Sequence, residues 1–374
     1  MSAWQVWLDD PTGNRLAMLD QLVNLSVSVV ANNIGSFQIT LPGDFDDSLI
    51  HLDGLIEFWR APEGGTLRLV RVGMVRKWVY TEGSDGSEVL IISGPDQTEL
   101  LSRRIVAYPA EPSFATGTKY TYKSGAADDM IKAIVRENLG ALVAVAARNL
   151  TSLNFTVALD LTAVAVLERR FSWTNVLTVI QEIASASTQS TGIGLYFDLV
   201  PVMVSSTQLG FEFMTYAGQI GMDMSSSVFF GKSWGNLGSP KLEKDYSAEF
   251  NYCYVGGQGE EADRSIIEVS DTARIGVSPW NRREIFQDGR NEKTVTGLDA
   301  LGRKALRANR PVLRLSGSLL DTTQARYGID WSWGDKVTVE YRGFQFAGMV
   351  RAVRFDLADD GQEVIDCKVE TEVV

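Results

Sequence analysis

Forty-seven acidic residues and a single histidine bound the chemistry open to this 374-residue chain. A glycosidase needs only two carboxylates at the right separation, so the acidic side chains come first. They cluster at Asp44/Asp46/Asp47, Asp128/Asp129, Glu260/Glu261/Asp263 and Asp359/Asp360. None of these groups has the D-x-[DN]-x-[DN]-G spacing of a calcium loop. They fall at turns and at a helix start, where short acidic side chains bond nearby backbone, and they are read as solvated. His51, in Leu49-Ile-His-Leu-Asp53, is the one imidazole, which rules out H-E-x-x-H zinc sites. No G-x-S-x-G elbow offers a nucleophile for it to activate. Cys253 and Cys367 lie 114 residues apart in apolar, strand-like settings without zinc spacing, and read as buried thiols. Gly192-Ile-Gly194 precedes a strand and not a helix, so it is no phosphate cradle. No catalytic, cofactor-binding or metal-ligating residue is assigned, and no cofactor is expected.

Two other groups stand out. Residues 282–314 carry nine basic residues (Arg282, Arg283, Arg290, Lys293, Arg303, Lys304, Arg307, Arg310, Arg314) against four acids, inside a chain of net charge −12. Charge runs usually face water; the functional alternative is a contact patch for an acidic neighbour, with Arg303 and Arg307 as candidates. Among nine tryptophans, Trp4, Trp7, Trp59 and Trp78 sit in strand patterns where packing explains them. Trp331 and Trp333, expected on one strand face, and Trp280, in a Ser-Pro-Trp-Asn turn, are the candidate interface anchors.

The elements around these groups are mostly strands. Val23, Leu25, Val27, Val29 and Ala31 alternate with polar residues, Asn32-Asn33-Ile34-Gly35 supplies a reversal, and Phe37, Ile39 and Leu41 alternate until Pro42. Leu55–Arg60 reads as a short strand, Leu67–Tyr80 as a long one, and Val89–Ser93 as its return. Between 106 and 192 the pattern turns helical. Ser124 is expected to open a helix whose apolar face is Met130, Ile131, Ile134, Val135 and Leu139. A second helix is expected from near Ser172, and Asn154–Leu161 alternates like a strand between them. Strands resume at Leu195–Val200 and Leu209–Met214. A polar segment around Gly256–Asp263 opens a stretch with a helix from Leu298 to Asn309, which Pro311 ends. Lys336–Tyr341, Phe344–Phe355 and Val364–Glu372 form a meander.

The string Asn33-Ile-Gly-Ser-Phe-Gln-Ile-Thr-Leu-Pro42, carrying Gly35, Phe37 and Pro42, resembles the start of siphophage tail hub (tail-associated baseplate) proteins. Leu100-Leu-Ser-Arg-Arg-Ile-Val106, with Leu100, Arg103 and Arg104, resembles that family's exit from its first barrel. Gly334-Asp335, in Trp331-Ser-Trp-Gly-Asp335, resembles its entry to paired strands. The resemblance implies a mainly β, α+β fold: two tail-tube-like β-barrels, an α/β insert and a second, smaller insert. The expected boundaries are 1–105 for the first barrel, 106–192 for the α/β insert, 193–255 with 328–374 for the second barrel, and 256–327 for the second insert. No sequence repeat between the two barrel regions is visible.

It also implies a structural role and no enzyme activity. The expected assembly is a homotrimeric ring at the tail tip that adapts the tail tube and gates DNA. Its expected partners are a distal tail protein ring, the C-terminus of a tape-measure protein, and tail-tip fibre or receptor-binding proteins. Location would be the virion tail tip, with the host cytoplasm during assembly. The acidic balance argues against ordinary nucleic-acid binding yet suits a wall that DNA slides past. No apolar run reaches the ~20 residues of a membrane span. The N-terminal Met-Ser-Ala-Trp-Gln-Val-Trp has no basic-then-apolar pattern, so no secretory leader is expected. The last strand reaches the end of the chain, so no appended wall-digesting domain is expected. Two rival readings remain: a carbohydrate-binding or cell-wall-cleaving tail protein, and a hexameric distal tail ring protein.

Overall fold

The computed structural model describes residues 2–372 except 84–85, 111–112, 119–120, 172, 291, 293, 321 and 323–324. The chain is α+β and mainly β. Its largest element is a ten-stranded sheet built from both ends of the sequence. Its main path runs Leu237–Asp245, Val312–Leu319, Glu363–Glu372, Phe344–Leu357, Asn24–Val30, Ser36–Pro42, Glu88–Pro95, Lys77–Glu82. Lys336–Tyr341 joins it alongside Phe344–Leu357 and also pairs in parallel with Phe229–Gly231.

The central hairpin forms as its pattern dictates. Leu25, Val27 and Val29 face inward and are buried, while Asn24, Ser26 and Ser28 alternate outward. Phe37, Ile39 and Leu41 do the same on the return strand. Of the four turn residues only Asn32 takes a positive φ, 56°. Gly35 has a different reason to be glycine. A Cβ there would lie 2.1 Å from the Ser28 carbonyl oxygen and 2.6 Å from the Asp96 carboxylate. Phe37 seats its ring where Gly73 and Gly94 leave room, 5.5 Å from the Phe58 ring. Pro42 still pairs with Val89 and ends the strand.

A second sheet, ordered Arg15–Leu19, Ala3–Asp9, Leu55–Ala61, Arg68–Met74, faces the hairpin. Val6, Leu8, Ile56 and Phe58 from this sheet meet Val27, Ile39, Leu90 and Ile92 in one core. The expected long strand Leu67–Tyr80 is broken: Arg68–Met74 pairs within the second sheet, and Lys77–Glu82 crosses to edge the large one. An unbroken apolar run cannot reveal that its two halves serve different sheets.

The helical region differs from expectation at its ends. Thr121–Ala126 is a strand paired with Val166–Phe171, so Ser124 does not cap; the helix spans Ala127–Asn138 with Ala126 before it. Asp128 and Asp129 do lie in its first turn, but they are not simply solvated. Their carboxylates accept from the backbone N–H groups of Leu161, Thr162, Ala163 and Val164. Only Phe155–Val157 of the expected 154–161 strand pairs. The second helix spans Val176–Thr191, capped by Asn175 and ended by Gly192 at φ 76°; its expected start, Ser172, lies outside the described residues. The helix Val295–Ala308 is capped by Thr294 and packs on Cys253, Val255 and Val269 of a three-stranded sheet.

Hydrogen bonding also draws lines other than the expected boundaries. Leu195–Met203 and Leu209–Ala217, placed with the second barrel, pair with each other; Leu209–Ala217 also pairs in parallel with Phe155–Val157, and all three share a core with the first two helices. Val312–Leu319, placed in the second insert, is an inner strand of the large sheet. Among the described residues, no helix is long and apolar enough to cross a membrane.

Gly35→Ala is expected to cost about 1–3 kcal/mol, the range for forced overpacking, read as a lower urea midpoint at constant slope. An unchanged midpoint would show that the hairpin can spread to admit the methyl group.

Candidate functional site

No described group of three or more His, Cys, Asp or Glu side chains could hold a metal. His51 is exposed beside the turn closed by the Gly54 N–H on its carbonyl. Both cysteines are buried free thiols. Burial pushes both thiols' pKa values up, so neither is a ready thiolate.

A strongly perturbed carboxyl that sequence reading missed is Asp9. Asp9 and Glu57 project from adjacent strands and are fully buried. Arg15 grips Glu57 through Nε and Nη2 at 3.0 and 2.6 Å, and Trp59 Nε1 donates to the same carboxylate at 2.5 Å. The Arg15 guanidinium lies 4.5 Å from the Trp7 ring centroid and 5.5 Å from that of Trp59. Glu57 is thereby saturated, and one cation cannot neutralise two acids. Burial, then the Glu57 charge, push Asp9 from 3.8 to about 8. The pair resembles a catalytic dyad only in its pKa. Both carboxylates are enclosed in the interior of the chain.

Two further buried ion groups join distant segments. Arg71 Nε meets Asp96 at 2.8 Å, its Nη1 meets Asp198 at 2.9 Å, and its Nη2 donates to Thr98 Oγ1 at 3.0 Å. This ties the second sheet, the 3-10 turn Gln97–Ser102 and the Leu195–Met203 strand together. Burial raises the Asp198 pKa, the Arg71 charge opposing. Arg60 grips Glu363 at 2.8 and 2.6 Å and donates to the Tyr327 carbonyl at 3.0 Å. Ser2 and Trp4 also donate to Glu363, each at 2.7 Å. Burial works against that carboxylate, but Arg60 and these donors hold its pKa below the ordinary value.

The residues singled out earlier divide by burial. Leu100 and Arg103 lie in and just after the 3-10 turn; Arg103 reaches Asp53 and Glu99, both at 2.9 Å. Arg104 offers its carbonyl to the Val176 N–H, fastening this segment to the start of the second helix. Gly334, at φ 87°, and Asp335 form a turn. The Asp335 carboxylate accepts from the Met222 N–H at 2.6 Å and the Ser332 N–H at 2.7 Å. Trp331 is not an interface anchor: it is 2% exposed, edge-on to Phe230 and Tyr327 in the C-terminal core. Nor do Trp331 and Trp333 share a strand face, since both precede the strand in a bridge and a turn. Trp333 is half-buried, 5.7 Å from the Arg71 guanidinium. Trp280 is 90% exposed and remains available. Arg303 pairs with Asp299 on its own helix, and Arg307 donates to the Gln189 carbonyl at 3.0 Å. Lys293 lies outside the described residues.

The remaining feature is an edge. Lys77–Glu82 ends the large sheet, and all six residues are exposed, Trp78, Val79 and Tyr80 included. An apolar strand bare on both faces with one unpaired edge is a template for another chain. The opposite edge, Leu237–Asp245, carries Pro240, a register irregularity between Gly238 and Lys241, and alternating charges, the devices that discourage pairing.

The fold that carries these features is that of phage tail proteins. The 43 kDa tail protein of prophage MuSo2 from Shewanella oneidensis superposes with a TM-score of 0.60 at 12% identity, over 98% of each chain. A tail protein from Neisseria meningitidis MC58 gives 0.57 at 14% identity, covering 99% of this chain and 97% of that one. The prophage tail protein gp18 of Listeria monocytogenes EGD-e gives 0.55 at 9% identity, covering 98% and 94%. At these identities the likeness is one of fold. The model of the siphovirus ReqiPepy6 Gp37-like proteins matches residues 3–368, and the chain belongs to that family. No curated protein matches it.

Two outcomes test the buried ions. Arg71→Met should cost about 3–5 kcal/mol by leaving two buried carboxylates uncompensated, and adding Asp96→Asn and Asp198→Asn should restore most of it; a near-neutral single variant would overturn the account. For Asp9, the folded chain holds a proton that the unfolded chain releases near 3.8. Stability should therefore fall as pH rises from there to about 8, by at most about 1.4 kcal/mol per pH unit. Asp9→Asn should flatten that slope in urea titrations at stepped pH.

Proposed function

We propose that the chain is a structural subunit of a phage tail tip, assembling as a ring through the edge strand Lys77–Glu82. That edge carries the reading. It continues a sheet spanning both halves of the molecule, and its bare Trp78, Val79 and Tyr80 are what a subunit contact would cover. Family membership and the tail-protein fold support the setting. The opposite edge is guarded, so it would not be the surface that a neighbour presents. A contact between unlike surfaces generates rings when its rotation closes.

On this reading three copies surround a passage for DNA, and each contributes two tube-like modules, one from residues 1–105 and one mainly from the C-terminal strands. The ring would adapt the tail tube to the tip. A distal tail ring, the end of the tape-measure protein and the tip fibres or receptor-binding proteins would be its neighbours, in the virion and first in the host cytoplasm. Net charge of −12 fits a wall that lets DNA slide without sticking. The burial of Asp9, Glu57, Asp96 and Asp198 favours a non-enzymatic role, and Trp280 would serve as a peripheral contact.

Native mass spectrometry should find three copies of the 41.1 kDa chain. Val79→Lys with Trp78→Glu should give the monomer with an unchanged circular dichroism spectrum. Six copies would favour a distal-ring protein. A monomeric wild type that cleaves peptidoglycan would overturn the proposal.

A further inference from the structure

An open groove of about 800 Å³ lies where four distant segments meet. Its walls are the second helix and its Gly192 end, the close of the Val295–Ala308 helix, the turn residue Asn32, and the ends of the C-terminal strands. Four cations line it: Arg307, Arg310, Lys336 and Arg351. Glu370 is the one lining carboxylate. In a chain with twelve more acids than bases, this surplus runs against the composition. A concave wall of one sign focuses its field on whatever enters.

Arg307, Arg351 and Lys336 are held in place. Arg307 reaches across the groove to the Gln189 carbonyl at 3.0 Å. The Arg351 guanidinium lies 4.9 Å from the Tyr196 ring centroid, and its Nη2 is 3.9 Å from Glu370. Lys336 Nζ is 3.1 Å from Asp223, both side chains partly exposed. The floor beside them is made of small residues, Ala184, Ser185 and Gly218, and a Cβ on Gly218 would meet open space. A peptide backbone could therefore lie close to the wall.

We propose that this groove docks an extended, acidic polypeptide segment of another protein. The volume falls in the ~300–1,000 Å³ range of sites that enclose a small ligand or short stretch of chain. Polynucleotide fits less well. Single strands bind on open aromatic platforms, and the lone lining ring, Tyr196, already has the Arg351 guanidinium against it. Duplex DNA would meet the repulsion of the whole acidic chain. The two arginines of the helix end come from the basic stretch 282–314, so its function lies partly in this groove and partly in water. The proposal does not depend on ring formation and stands whether the chain is monomer or trimer.

The test is fluorescence anisotropy of the full chain with a labelled octapeptide of six Asp/Glu and two Gly. A peptide of the same length in Ser and Gly and an eight-nucleotide single-stranded DNA are the comparators. The acidic peptide should bind tighter than both, and weaken at least about tenfold between ~50 and ~500 mM salt, as screening requires. Arg310→Gln with Lys336→Gln should weaken it at least about fivefold, the signature of lost charge complementarity, with thermal midpoint unchanged. Ser185→Trp, which fills the floor and leaves every charge, should do the same. Binding untouched by either variant, or DNA binding tighter than peptide and lost in the same variants, would overturn the assignment.

Discussion

The structure depends on one pairing. Asn24–Val30 lies antiparallel to the second half of Phe344–Leu357, with Val27 opposite Phe355 and Val29 opposite Val353. These four side chains are almost wholly buried, while Ser28 and Ser26 face outward opposite Arg354 and Asp356. A slip of one residue would reverse every inward side chain. That would expose Phe355, whose burial is worth about 1.5–3 kcal/mol. It would also pull its ring from Trp4 and Tyr327, whose centroids are 5.5 and 4.9 Å away. Because the pairing joins positions more than three hundred apart, it makes one sheet of two ends and brings their cores into contact at Trp4.

Around this seam the polar contacts act as register pins. Arg60 and Glu363 belong to strands in different sheets, and Arg71 gathers carboxylates from two segments beyond its own strand. Breaking such a pair is costly because an uncompensated charge remains, even where the intact pair adds little net stability. The effect is to penalise alternative packings. The Asp9–Glu57 pair differs, since its surplus charge has to be removed by a proton. Arg15, which grips Glu57, also donates to the Ser206 carbonyl at 3.1 Å, at the tip of the Leu195–Ala217 hairpin.

Local pattern carried much of this fold. The hairpin 24–42, the C-terminal meander and the apolar faces of three helices were legible because period-2 and period-3.6 repeats report burial directly. The strings around Gly35, Leu100 and Gly334 were read as those of siphophage tail proteins, and the chain belongs to the siphovirus ReqiPepy6 Gp37-like family. Partners were not legible. Nothing in Leu195–Ala217 says that it pairs with Phe155–Val157, and nothing in Leu67–Tyr80 marks the crossing between sheets. Trp331 misled for a related reason: an aromatic flanking a turn looks the same whether the turn faces solvent or core. The ion groups did leave a trace. Glu57 and Arg60 interrupt Leu-Ile-Glu-Phe-Trp-Arg, and Arg71 interrupts Leu-Val-Arg-Val; a charge inside an apolar strand is the pattern of a paired, buried ion.

The two ends of the large sheet's main path make the last step. A sheet open at both ends could add copies of itself without limit, and natural proteins blunt such edges with proline, irregular register and charge. Here only the Leu237–Asp245 side is treated that way. The Lys77–Glu82 side keeps its charges at the strand ends and three apolar side chains between them. The unguarded side is where the sheet's backbone stays open to a further strand. Tyr80 already spends its hydroxyl on Asp47 at 2.6 Å, which braces the bare strand in place before any partner arrives. A strand rigid in the free chain loses less entropy on contact.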